Sequence, residues 1–160
     1  MAGKGTPATQ RLERDGVAHV LHAYEPGAGS YGAAGAAALQ VEPERMFKTL
    51  IVDLDGRLAC AVVPVSGSLD LKALTAALGG KRAAMADPVA AERSTGYVVG
   101  GISPLGQRTL LPTAVDESVE LFDTVLVSAG RRGLSVELAP ADLVRLTAGV
   151  VAGLVRMAGP

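Results

Sequence analysis

Lys48 heads the apolar run Phe47-Lys48-Thr49-Leu50-Ile51-Val52, and among the polar side chains of this chain it has the most to offer chemistry. An ammonium group partly buried in a pocket could hold a carboxyl-like or ester group, or stabilise a developing oxyanion. The ordinary alternative is that Lys48 snorkels to solvent at a strand end, and the cost of burying an unpaired ammonium favours it on physics alone. A second feature is the stretch Gly96-Tyr97-Val98-Val99-Gly100-Gly101-Ile102-Ser103-Pro104-Leu105-Gly106. Its glycines permit positive φ or close backbone approach, and Pro104 fixes the exit, so it is either a tight connection or the wall of a pocket.

Other candidates are weaker. Ser103 and Ser128 are hydroxyls beside glycines, each either a local cap or a pocket donor. Neither lies in a Gly-x-Ser-x-Gly elbow. His19 and His22 are three apart in an expected strand, so they face opposite sides and cannot share a metal. No zinc-binding spacing is present, and Cys60 sits in a core-like run where a free thiol acts as a small hydrophobe. The doublets Lys81-Arg82 and Arg131-Arg132 are either phosphate contacts or solvated turns. Gly79-Gly80-Lys81 lacks the upstream glycine of a phosphate loop, because that position is Thr75. No metal and no cofactor is expected.

The elements that must hold these residues follow from punctuation and period. Thr6-Pro7 opens a helix that should run to residue 15, stopped by Gly16. A strand over 17–24 follows, then a loose Ala/Gly helix over 28–39 and a turn near Pro43. Strands over 47–54 and 57–65, joined by Asp55-Gly56, should be antiparallel neighbours. Helices are expected over 69–78 and 88–93, and strands near 97–99, 109–111, 123–128 and 134–138. A final helix should span 140–156, with Leu143, Leu146, Val150 and Leu154 inward. The sum is an α+β fold of about seven strands, a curved mixed sheet or partly closed barrel with helices outside.

With 160 residues, 49% of them hydrophobic, the chain is expected to form a single domain over 1–160 with a substantial core. Its net charge of −1 and 19% charged residues exclude a disordered or broadly basic nucleic-acid protein. Any contact with RNA would run through local basic patches, or be weak, or need help from a partner. Aromatic residues, at 3%, are too few for a base-stacking platform. One cysteine, no signal peptide and no apolar run long enough to span a bilayer point to a cytoplasmic protein without a membrane partner.

Several motifs, in order, resemble the YbaK/EbsC family of aminoacyl-tRNA deacylases, relatives of the editing domain of bacterial prolyl-tRNA synthetases. They are Thr6-Pro7-Ala8, His22-Ala23-Tyr24-Glu25, Phe47-Lys48-Thr49-Leu50 and Pro64-Val65-Ser66-Gly67-Ser68-Leu69-Asp70-Leu71-Lys72. They continue through Met85-Ala86-Asp87-Pro88, the run from Arg93 to Gly106, and Ser128-Ala129-Gly130-Arg131-Arg132-Gly133-Leu134. The resemblance implies hydrolysis of Cys-tRNA(Pro), with the mischarged aminoacyl 3′ end as substrate and prolyl-tRNA synthetase as partner. It implies Lys48 as the catalytic residue, and Tyr24, Thr49, Gly100, Gly101, Ile102, Ser103, Pro104 and Ser128 as substrate contacts. It further implies that the substrate's own thiol attacks the ester, which suits a chain with no visible nucleophile. Alternatives are deacylation of another mischarged tRNA such as Ala-tRNA(Pro) by water, or a non-catalytic binding module. Three features depart from the family pattern: Ser135 replaces a common acidic residue, Ala129-Gly130 replaces Gly-Gly, and residues 28–38 are unusually rich in Ala and Gly.

Overall fold

The computed structural model describes residues 5–25 and 31–156. Helix α1, Pro7–Arg14, begins where expected, because the Thr6 hydroxyl accepts the Thr9 N–H at 3.1 Å and Pro7 takes the first position. Strand β1, His19–Ala23, and helix α2, Tyr31–Leu39, follow. The expected start of that helix at residues 28–30 lies outside the described residues. Strands β2, Phe47–Leu54, and β3, Arg57–Pro64, form the antiparallel hairpin read from Asp55-Gly56.

Beyond the hairpin come β4, Ser68–Leu69, and α3, Leu71–Ala77, whose cap is the Asp70 carboxylate. Strand β5, Ala83–Met85, leads to α4, Pro88–Thr95, capped by Asp87. Strand β6, Thr113–Asp116, and a 3-10 turn, Glu117–Leu121, precede β7, Val125–Arg131, and β8, Leu134–Leu138. Helix α5, Pro140–Thr147, and the short strands β9, Val150–Ala152, and β10, Val155–Arg156, complete the order.

The fold is α+β, with a mixed sheet and helices outside. Five strands run β5-β2-β3-β6-β9, antiparallel through β3 and parallel from β3 onward. Three antiparallel strands run β1-β8-β7, and β10 pairs with β4. Alternate residues of β3 explain its unbroken apolar run. Cys60 and Val62 enter the core shared with Val125, Val127, Val136 and Leu138, while Ala59, Ala61 and Val63 pack beneath Leu74 of α3. A strand covered on both faces needs no polar alternation. The two larger sheets are stitched beside the head of β2, where Met46 bridges Leu126 and the Leu126 N–H donates to the Arg45 carbonyl at 3.1 Å.

Five expectations need correction. The final helix stops at Thr147 rather than reaching residue 156, since Ala148 turns left-handed at φ 51°. Beyond it the β-branched Val150-Val151 pairs with β6, and a parallel ladder outweighs a helical stripe. Residues 109–111 form no strand; the strand is Thr113–Asp116, just past Pro112, whose carbonyl accepts the Cys60 N–H at 2.8 Å. Residues 97–99 are also not a strand but enter a turn. Strand β7 runs through Ala129-Gly130 to Arg131, because Gly130 absorbs a bulge at φ 106°. Helix α3 begins two residues late, with Ser68 and Leu69 paired to β10 instead. With these short pieces the described residues hold ten strands rather than about seven. No helix among them is long and apolar enough to cross a membrane.

Candidate active site

A cavity of about 410 Å³ opens beside the head of β2 and is lined by Met46 through Ile51. Tyr24 stands just beyond β1, Met85 and Ala86 come from the end of β5, and Pro88 and Ala91 from α4. Val99, Gly100 and Ile102 form another wall, with Ser128 and Ser135 from β7 and β8. Lys48 is the sole charged residue among the described lining residues, and it has no carboxylate partner among them. Its side chain is half-buried. Lys48 thus borders the cavity.

Beside it, the Thr49 hydroxyl is buried with no hydrogen-bond partner among the described residues. An orphaned buried hydroxyl costs about 1–3 kcal/mol and calls for an explanation, and a ligand atom in the cavity would supply one. Ser128 and Ser135 face each other across the β7–β8 ladder, so their side chains share one surface. Ser135 thus lies on the same surface of the sheet as Ser128.

The wall at residues 98–101 is a β-turn closed by the Gly101 N–H on the Val98 carbonyl at 2.9 Å. Its third residue, Gly100, has φ 90°, which the type II pattern reserves for glycine. Gly101 is needed for space: a Cβ there would lie 2.8 Å from Arg131 Cα and 2.9 Å from Arg132 N. Three side chains from three places lock this turn. The Glu92 carboxylate of α4 accepts the Val99 N–H at 2.7 Å, and Arg132 donates to the Val99 carbonyl from Nε at 3.0 Å and from Nη2 at 2.7 Å. Ser128 Oγ donates to the Gly101 carbonyl at 3.1 Å.

Tyr24 owes its place partly to Gly35 of α2, where a Cβ would come within 2.7 Å of the Tyr24 hydroxyl. The Ala/Gly-rich helix is thus close-fitting to a cavity residue. On the same face of β8 as Ser135, Glu137 receives His22 Nε2 at 2.8 Å and Arg45 Nη2 at 2.6 Å, tying the approach to β2 onto the three-stranded sheet. The Thr124 hydroxyl, then His22 and Arg45, hold the Glu137 carboxyl below its ordinary value. Cys60 lies outside the cavity lining, and burial pushes its thiol up to about 12, so it stays protonated and inert at neutral pH.

The family described as an aminoacyl-tRNA editing domain matches residues 25–146. The chain belongs to this family. Its activity is accordingly aminoacyl-tRNA editing, hydrolysis of an aminoacyl ester on tRNA. EbsC of Enterococcus faecalis, named as a candidate Cys-tRNA(Pro)/Cys-tRNA(Cys) deacylase, is 40% identical over 115 residues, covering 71% of this chain and 70% of that one. The multifunctional Ser/Thr-tRNA deacylase ProXp-y of Escherichia coli is 33% identical over 87 residues, 54% of this chain and 52% of that one. A solved structure described as a candidate trans-editing enzyme for prolyl-tRNA synthetase superposes with a TM-score of 0.82 at 25% identity, covering 97% of this chain and 100% of that one.

Within this editing domain, six of the nine expected residues line the cavity together: Lys48, Tyr24, Thr49, Gly100, Ile102 and Ser128. Gly101, Ser103 and Pro104 are not among the lining residues. Gly101 packs behind the wall, and Ser103 is fully buried, its Oγ accepting the Leu105 N–H at 3.1 Å. Of the two serines left undecided by sequence, Ser103 is the local cap and Ser128 borders the cavity. The sequence reading missed Glu92 and Arg132 as the grip on Val99, and the apolar rim of Met85, Pro88 and Val99. Nothing in spacing ties Glu92 to Val99 or Arg132 to it; only the fold joins α4, the turn and the β7–β8 loop.

Proposed function

We propose that this editing domain, a single unit over 1–160, deacylates mischarged Cys-tRNA(Pro) in trans, with Lys48 as its catalytic group. The observation that carries the reading is a half-buried lysine, with no ion pair among the described residues, at a cavity otherwise lined by apolar groups and hydroxyls. In so apolar a setting one cation has strong leverage on an ester oxygen that gains charge. The relatives' printed activities give the substrate class.

In the proposed step the cysteine thiol of the substrate attacks its own ester carbonyl. A sulfur–carbon bond forms, the bond from carbonyl carbon to ribose oxygen breaks, and the thiol proton ends on that oxygen. The thiolactone released is then opened by water. Lys48 stabilises the oxyanion, while Tyr24, Thr49, Ile102 and Ser128 hold the aminoacyl group. Val99 and Gly101 have their N–H groups already bonded, which leaves the Gly100 amide as the donor offered by the turn residues that line the cavity. Gly101, Ser103 and Pro104 support the wall rather than touch substrate. Prolyl-tRNA synthetase supplies the tRNA choice as a partner.

A second reading is favoured by one observation. The orphaned Thr49 hydroxyl and the opposed Ser128 and Ser135 suit a hydroxyl-bearing aminoacyl group, the class on which ProXp-y acts. The test offers the purified protein Cys-, Ser-, Ala- and Pro-tRNA(Pro). Loss of cysteine beyond the buffer control, with Pro-tRNA(Pro) intact, is expected. Serine or alanine released faster than cysteine would transfer the assignment to hydrolysis by water.

A further inference from the structure

The turn that walls the cavity is also flanked by arginines. Arg108 lies beside its start: its Cβ, Nε and Nη2 each stand 3.6 Å from where a Gly96 Cβ would be, and its N–H donates to the Thr95 carbonyl at 2.9 Å. Arg131 lies beside its end, with Cα 2.8 Å from where a Gly101 Cβ would be. Arg132 holds the Val99 carbonyl between them, and Arg93 occupies the last turn of α4, which leads into the turn. All four side chains are exposed.

Their clustering sets them apart, because Arg57, Arg82 and Arg156 also lack an ion pair among the described residues. Arg11, Arg14, Arg45 and Arg145 each sit on a carboxylate. Arg93, Arg108 and Arg131 have no ion pair among the described residues. The one carboxylate bonded to this turn, that of Glu92, is engaged with the Val99 N–H. In a chain whose net charge is −1, four arginines are gathered beside this turn at one side of the cavity. That pattern is complementary to a polyanion rather than to an apolar partner.

We infer that Arg93, Arg108 and Arg131 form a track for the phosphates of the tRNA 3′ end, entering the cavity along the segment 96–101 that contains the turn. The inference rests on the proposed deacylase reading, because an ester seated by Lys48 remains tethered through its ribose to the phosphates that precede it. The guanidinium groups position the chain without reading its sequence. Arg132 is left out of the test because it also holds the cavity wall.

The experiment compares wild type with Arg108→Gln/Arg131→Gln on two substrates: Cys-tRNA(Pro), and cysteinyl-adenosine, which carries the ester and ribose but no phosphate. Initial rates are measured across a series of potassium chloride concentrations. The double variant should lose about tenfold or more in kcat/KM on the tRNA at low salt. Its log–log salt dependence should flatten by about 0.7 for each single-strand phosphate that is no longer neutralised, while the adenosine ester is turned over as by wild type. Unchanged tRNA kinetics, or equal losses on both substrates, would overturn the track. Wild type inert on both substrates would instead sink the deacylase reading.

Discussion

Arg132 donates two hydrogen bonds to the Val99 carbonyl while Glu92 accepts the N–H of the same residue, so one peptide segment of the cavity wall is held from both sides by opposite charges. The grip aims Gly100 into the cavity without either charged group lining it. Arg132→Lys keeps the charge but loses the paired planar donors. It should lower kcat on an aminoacyl-tRNA by about tenfold, with KM and melting temperature little changed, since a misplaced wall affects geometry more than binding. Glu92→Gln keeps an acceptor and should retain most activity, whereas Glu92→Ala should resemble Arg132→Lys. Equal falls in melting temperature for all three would make the grip merely structural.

Gly101→Ala probes the contact behind that wall. The added methyl would meet the backbone of Arg131 and Arg132 at 2.8–2.9 Å, and backbone cannot swing aside as a side chain does. Destabilisation of about 1–3 kcal/mol is expected, read as a shift in urea midpoint. A variant as stable as wild type would mean that the turn moves freely.

Much of this arrangement was legible in the sequence, but unevenly. The β2–β3 hairpin declared itself through Asp55-Gly56, and α1 through Thr6-Pro7, since local signals set both. Strands β9 and β10 were hidden, because Val150 and Leu154 keep helical spacing while their real partners, β6 and β4, lie far away in the chain. Lys48, Tyr24 and Ser128 were legible as a site only through motif resemblance. Physics applied to Lys48 in isolation favoured solvent, because the cavity it borders is built by six separate segments. Glu92, Arg132 and Gly35 were invisible for the same reason: each acts on a residue distant in sequence.

Glu137 gives the protein an acid-sensitive tie. Its carboxyl is held below the ordinary value of 4.5 by Thr124 first, then His22 and Arg45. A lowered folded-state pKa means the stabilisation is present above the unfolded value and is lost as pH falls through the folded one. Glu137→Gln should therefore lower the melting temperature at neutral pH and leave it near wild type in strong acid. The same deficit persisting at the lowest pH would rule out the charge as its source.

Cys60 should play no part in the chemistry. Its thiol is fully buried, outside the cavity, and pushed up to about 12. Iodoacetamide should leave the folded protein unmodified and active, and Cys60→Ala should retain deacylation with a modest loss of stability. Inactivation by alkylation, at a rate matching loss of the free thiol, would contradict this.

The central claim concerns Lys48 and is best tested by single-turnover deacylation of Cys-tRNA(Pro) by wild type and Lys48→Ala. Both proteins should first be matched in melting temperature. Removing the Lys48 ammonium should slow release of cysteine by about 100-fold or more, towards the buffer rate, as for the loss of an oxyanion-stabilising group. Lys48→Ala releasing cysteine as fast as wild type would contradict the account.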